Sequence, residues 1–223
     1  MTFSLVGRCA RTGQFGMVIS SSSPAVAARC VHVRAGVGAV ASQNVTDPAL
    51  GPLVLDALAL GLDAGAALQG VTTGRAFIDW RQLLVVDRQG NVAIHSGRQV
   101  LGTWAEARGR DCAAGGNLLA NDGVPAAMVA AFEGATGHLG ERLMQALEAG
   151  LAAGGEAGPV HSAGLKVADR LDWPLIDLRI DWSDAPIADL RTAWDVYAPQ
   201  MAAYIQRALD PSAAPSYGVP GDE

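Results

Sequence analysis

The chain has 223 residues, of which half are apolar and only 17% are charged, with a net charge of −6. That length suits one large domain, and the sparse charge means much of its apolar surface is buried in the domain or in an oligomer interface. No run of Lys or Arg occurs, which argues against a nucleic-acid or anionic-membrane partner, since phosphate binding needs a basic patch.

In chain order, residues 3–8 and 15–20 read as two strands joined by an Arg11-Thr12-Gly13-Gln14 turn. Residues 30–34 and 38–43 read as a second pair, hinged at Ala35-Gly36. Pro48 and Pro52 open a helical stretch carried by Leu53, Leu55, Leu58, Leu60 and Leu62, and Asp63 starts a further helix through Leu68. Residues 81–86 and 91–95 form a hairpin around Asp87-Arg88-Gln89-Gly90. Another strand spans 112–119, and helices follow at about 123–134 and 138–152, the second ending at Gly154-Gly155. Strands are expected at 162–167 and 177–182, and Pro186 starts a last helix to Leu209. The tail 210–223, rich in Pro, Ser, Ala and Gly, is expected to be disordered beyond a domain at 1–209. Hairpins separated by paired helices predict an α+β fold, a four-layer αββα sandwich, over a parallel βαβ series.

Cys9, Cys30 and Cys112 are odd in number and show no CxxC spacing, so reduced, buried thiols in a cytoplasmic protein are expected. No HxxxH or HExxH spacing supports a metal, and no phosphate-binding glycine loop supports a nucleotide, so no cofactor is expected. The opening residues lack a basic region leading into an apolar run, so no signal peptide is read there.

The second residue is a threonine. A small residue in that position normally lets methionine aminopeptidase remove Met1, leaving Thr2 with a free α-amine beside its hydroxyl. An amine with a pKa near 8 can serve as local base to that hydroxyl, which makes a self-contained nucleophile for amide cleavage. A Met-Thr start is also common in proteins with no such chemistry. Arg34 ends a small-residue strand, where a cation could lower the amine's pKa or hold a carboxylate, or simply lie on the surface. Ser21, within the Ser20–Ser23 run, could bind a polar group. The amides of Gln43, Asn44 and Asn117 could donate to an oxyanion, Asn117 after two glycines that let backbone approach a ligand. His95 near a strand end could exchange protons or be a satisfied edge histidine.

Several segments together resemble a known family, the domain of unknown function 1028 family. They are Thr2-Phe3-Ser4-Leu5-Val6, Thr12-Gly13-Gln14-Phe15-Gly16 and Arg34-Ala35-Gly36-Val37-Gly38-Ala39-Val40. Arg81-Gln82-Leu83, His95-Ser96-Gly97, Gly116-Asn117-Leu118-Leu119 and Asp177-Leu178-Arg179-Ile180-Asp181 follow in the same order. The resemblance runs from residue 2 to about 195 and implies the αββα sandwich of the N-terminal-nucleophile aminohydrolases. In that superfamily the first residue of the first strand is the nucleophile and a basic residue lies on a nearby strand, positions that Thr2 and Arg34 suit. The stretch Gln43-Asn44-Val45-Thr46-Asp47-Pro48 departs from the more aromatic, alanine-rich segment of relatives.

Two functions are therefore compatible with the sequence. One is an N-terminal-nucleophile amidohydrolase of a small amide or other C–N bond. There Thr2 attacks, Arg34 tunes charge, and Asn44 or Asn117 holds the oxyanion. The other is a non-catalytic pocket on the same fold that binds a small polar metabolite through Arg34, Gln82 and His95. In both, the partner is a small molecule and the assembly a homodimer or larger.

Overall fold

A computed structural model describes residues 1–221. It contains strands β1 (Thr2–Arg8) and β2 (Phe15–Ser21), helix α1 (Val26–Cys30), and strands β3 (Val31–Arg34) and β4 (Gly38–Asn44). Helices α2 (Leu50–Ala59) and α3 (Ala64–Thr72) precede strands β5 (Arg81–Asp87), β6 (Val92–Ser96), β7 (Ala105–Gly109) and β8 (Cys112–Asn117). Then come α4 (Val124–Gly134), α5 (Leu139–Ala152), β9 (Ser162–Ala168), β10 (Ile176–Ile180), α6 (Pro186–Tyr197) and α7 (Met201–Leu209).

The strands form two antiparallel sheets, one in the order β10-β9-β2-β1-β8-β7 and one in the order β3-β4-β5-β6. Period-two alternation sends neighbouring side chains to opposite faces. On β1, Phe3 and Leu5 point to a core shared with α4, α5 and α6, through Met128, Phe132, Leu143 and Trp194. Val6 points the other way, into a layer between the sheets with Met17, Ile19, Ala41, Leu84 and Val86. On the second sheet, Val40, Leu83 and Val85 turn outward onto α2 and α3. Three cores thus separate four layers, helices–sheet–sheet–helices, as the sequence predicts.

Four local features depart from the sequence reading. Helix α1 is a single turn after Ala25, whose φ is 51°. Strand β7 is an edge strand of Ala, Glu, Arg and Gly, poor strand formers that pairing with β8 nevertheless holds extended. The last predicted helix is two, because Pro199 has no N–H to continue the ladder. Residues 211–213 of the expected tail form a 3-10 turn, and Arg207 stacks on Tyr217 at 3.7 Å. Residues 222 and 223, where that tail ends, lie outside the described residues. Among the described residues no helix is long and apolar enough to cross a membrane.

Candidate functional site

The layer between the sheets is apolar along most of its length and polar at one end. Thr2 and Ser4 share the inward face of β1 with Val6, by the same alternation. Cross-strand register places Asn117 opposite Thr2 on β8, and Phe3 opposite Ser20 on β2, which brings Ser21 beside Thr2. From the facing sheet, Gln43 and Gln82 lie opposite each other on β4 and β5. All of these side chains are buried, Gln43 and Gln82 completely.

Their hydrogen bonds form one directed chain. Ser4 Oγ donates to Gln43 Oε1 at 2.6 Å, and Gln43 Nε2 donates to Gln82 Oε1 at 2.9 Å. Gln82 Nε2 donates to Ser96 Oγ at 3.1 Å, and Ser96 donates to the Glu106 carboxylate at 3.0 Å. Two backbone carbonyls fix the sense of this chain. Gln43 Nε2 also reaches Gly115 O (3.2 Å) and Gln82 Nε2 reaches Gly116 O (3.3 Å). A carbonyl can only accept, so both glutamines must present nitrogen there and oxygen on the other side. Asn117 must then offer its Nδ2 to Gln82 Oε1, at 3.4 Å. Its Oδ1 is left buried with no partner among the described residues. The chain donates away from Thr2 and leaves a bare acceptor next to it.

Close approach of the sheets makes this possible. A Cβ on Gly115 would come within 2.9 Å of Leu84 Cδ2 on the facing sheet, whereas one on Gly116 would meet Leu119 Cδ2 at 2.6 Å on the helix side and Thr2 O at 3.0 Å in its own sheet. Glycine at 115 lets the facing sheet come close enough for the glutamine amides to reach the carbonyls of β8.

On the other side of Thr2 lies Ser21. Its hydroxyl donates to the Met1 carbonyl at 2.5 Å and sits 3.5 Å from Thr2 Oγ, which is itself hydrogen-bonded to that carbonyl. Ser21 Oγ in turn accepts from Ser23 N–H at 3.0 Å. Beyond it, Glu156 accepts from Ser22 N–H with both carboxylate oxygens at 3.2 Å. The turn after β8 places Glu156: Leu118 takes a left-handed φ of 51°, Leu119 bridges to Glu156, and Ala157 N–H donates to Leu118 O at 3.0 Å. Burial raises the Glu156 carboxyl to about 7, against the opposing pull of the N-terminal charge and the Ser22 hydrogen bonds. Glu156 also lines a cleft of about 370 Å³ with Leu151, Pro159, Val160 and Ile187. The Met1 side chain lies beside this cleft, its terminal methyl carbon 3.4 Å and its sulfur 3.8 Å from where a Gly158 Cβ would be.

Of the residues singled out in the sequence, the structure therefore gathers Thr2, Ser21, Gln43, Gln82 and Asn117. It does not gather the others. Arg34 pairs with Gly38 at the opposite end of β4 from Gln43 and forms an ion pair with Asp56 at 2.8 Å. Asn44 faces away from the layer. Its Nδ2 donates to Trp80 O at 2.6 Å and its Oδ1 accepts from Leu101 N–H, so it clasps two loops. His95 lies opposite Leu83, whose face packs on α2 and α3, and its Nε2 lies 3.2 Å from Ile78 O. Asn117 is present, yet its amide nitrogen is taken by Gln82, so its free end is an acceptor rather than an oxyanion donor. Sequence reasoning missed Ser4, Glu156, Ser96 and Glu106. Ser4 was readable as the residue two along from Thr2 on the same strand face. Glu156 stood out as the one acid in Gly154-Gly155-Glu156-Ala157-Gly158.

The model of the family of unknown function DUF1028 matches residues 2–190. The chain belongs to the DUF1028 family. A solved DUF1028 structure, protein SPO2555 from Silicibacter pomeroyi, superposes with a TM-score of 0.86 at 27% identity, covering 92% of this chain and 90% of that one. Anbu (ancestral beta-subunit) from Yersinia bercovieri overlaps with a TM-score of 0.39 at 12% identity, covering 91% of this chain and 97% of its own. No curated protein matches the chain. The family match begins at Thr2, the residue at the centre of the polar end of this DUF1028 protein.

Proposed function

We propose that this DUF1028 protein is an N-terminal-nucleophile amidohydrolase of small amides, with Thr2 as nucleophile once Met1 is removed. The observation that carries this reading is the bare Asn117 Oδ1 directly across the strand pair from Thr2, in a site otherwise fully hydrogen-bonded. A buried acceptor without a donor is costly, and a freed α-amine at Thr2 is a donor placed beside it. Held there, the amine keeps its lone pair available to the Thr2 hydroxyl.

The chemistry then balances with groups at hand. Thr2 Oγ bonds to the amide carbonyl carbon and its proton passes to the α-amine. Ser21 Oγ–H, which donates to the Met1 carbonyl in the unprocessed chain, donates to the developing oxyanion. The C–N bond breaks, the leaving nitrogen takes the proton from the α-amine, and water cleaves the resulting ester with the amine as base. Glu156 lies toward the N-terminus and helps hold the amine's charge. The cleft beside Met1 takes an apolar acyl group.

Intact-mass measurement after incubation with a β-lactone tests the reading. Protein lacking Met1 is expected to gain one probe mass on Thr2, and Thr2→Val to gain none. A chain that keeps Met1 when isolated from its own host, or Thr2→Val labelled as fast as wild type, would overturn it. Thermal-shift screening of small amides on Thr2→Val separates the metabolite-binding alternative, which predicts undiminished binding together with no acylation of wild type.

A further inference from the structure

At the other end of β1 the chemistry changes. A cleft of about 420 Å³ opens between the β1–β2 turn, the β7–β8 turn and the α4–α5 connection, a size in the range of small-molecule sites. Arg8, Arg11, Arg110 and Arg142 line it from four segments, against Asp111 and Glu133 alone. Four guanidiniums facing two carboxylates form a cationic spot in a chain of net charge −6.

Two of the four are held in place. Arg8 Nη1 pairs with Asp111 Oδ1 at 2.7 Å, and Asp111 itself sits in a left-handed turn conformation with φ of 60°. Arg142 lies over the Phe132 ring at 4.1 Å and donates to Phe132 O at 3.2 Å. The Nε atoms of both are buried without a partner. Glu133 Oε1 accepts from Arg110 N–H at 2.6 Å, so part of that carboxylate is spent on backbone. Arg11 and Arg110 are exposed, and their guanidiniums have no partner among the described residues.

We infer that this cleft binds a phosphoryl-bearing small molecule, with Arg8 and Arg142 as the fixed floor and Arg11 and Arg110 as arms that close on it. Guanidiniums aimed from several directions match a tetrahedral group with oxygens on all sides, and their charge persists at any physiological pH. Cys9 lies in the same cleft and marks its field. Burial works to raise the Cys9 thiol, but hydrogen bonds from Thr12 and the Arg11 backbone and the charge of Arg142 outweigh it and lower the pKa. Burial raises both other thiols, Cys112 to about 12. Cys9 itself is buried beneath the cleft. The site lies a strand's length, roughly 20 Å, from Thr2 and stands or falls independently of the hydrolase reading.

Pyrophosphate titrated into the full chain at low ionic strength tests the inference. Saturable one-to-one binding is expected in a calorimeter. The double variant Arg11→Glu/Arg110→Glu is expected to weaken it by at least about tenfold, with an unchanged melting profile because both side chains are exposed and unpaired. Citrate serves as the second arm. Tighter binding of citrate than of pyrophosphate would overturn the phosphoryl assignment. No binding, or equal binding by the double variant, would overturn the site.

Discussion

The two ends of β1 differ in every electrostatic respect. At Thr2 the side chains are neutral hydroxyls and amides, buried between two sheets and joined by hydrogen bonds in a single direction. At Arg8 they are guanidiniums and carboxylates in a cleft open to water. One strand runs from one regime to the other in seven residues, from an end buried between the sheets to an end that lines a cleft at the turns. Where water is excluded, a neutral network whose donors and acceptors match is far cheaper than a charge. Where water is present, ion pairs cost little and add little. Catalysis by a hydroxyl and an amine suits the first end, and recognition of an anion suits the second.

The largest effect is expected from breaking the neutral network. Gln82→Leu leaves Asn117 Nδ2 and one of the Gln43 donor hydrogens without their acceptor and Ser96 without a donor, all in buried surroundings. A loss on the order of 2–4 kcal/mol is expected in urea denaturation. Gln82→Glu keeps the shape but reverses donor to acceptor at Gly116 O, and it is expected to be as damaging. A loss below about 1 kcal/mol for both would mean that water, not the amide chain, satisfies this layer.

Glu156 breaks the neutrality of the Thr2 end and gives the next effect. Its carboxyl is raised from an ordinary 4.5 to about 7 by burial. The folded state then binds more protons at Glu156 than the unfolded one between those values, so this group's contribution to the unfolding free energy falls as pH rises from 4.5 to 7 and is flat on either side. Glu156→Gln is expected to remove that slope. The variant should be more stable than wild type above pH 7, by on the order of 1–3 kcal/mol, and should converge with it near pH 4. Denaturation of both proteins across that range, in the same N-terminal form, checks it. Parallel curves would show that Glu156 titrates alike in the folded and unfolded states.

Much of this organisation was legible in the residues. The hairpins showed as alternating apolar segments around Gly13, Gly36 and Gly90, and the helix pairs showed as leucine- and alanine-rich runs. Strand β7 was not legible, because Ala105-Glu106-Ala107-Arg108-Gly109 carries neither β-branched residues nor a full alternation and depends on β8 for its shape. The site was half legible, for two geometric reasons. Alternation allows only one of Gln43 and Asn44 to face the layer, and it is Gln43. A turn at Ala35-Gly36 puts Arg34 and Gln43 at opposite ends of one hairpin, roughly 16 Å apart along the strand. Chemical type at a strand end was therefore a good guide to what could act, but only register tells which ends meet.

Arg34 supplies the smallest expected effect and the sharpest division between the two regimes. Its side chain is 42% exposed and that of its partner Asp56 is 62% exposed, so the pair contributes at most a few tenths of a kcal/mol. Arg34→Met keeps the length of the stem and removes the charge. It is expected to leave stability within about 0.5 kcal/mol and β-lactone labelling of Thr2 within about twofold of wild type. The pH at which labelling is half-maximal should not move, since a cation at the end of β3, across from the far end of β4, is screened from the Thr2 amine by distance and by salt. A shift of that midpoint would reinstate Arg34 as a group that tunes the amine. It would also mean that the polar end of the layer feels charges well outside it. No shift would leave the amine to be set by the groups that surround it: Asn117 Oδ1, Ser21 and Glu156.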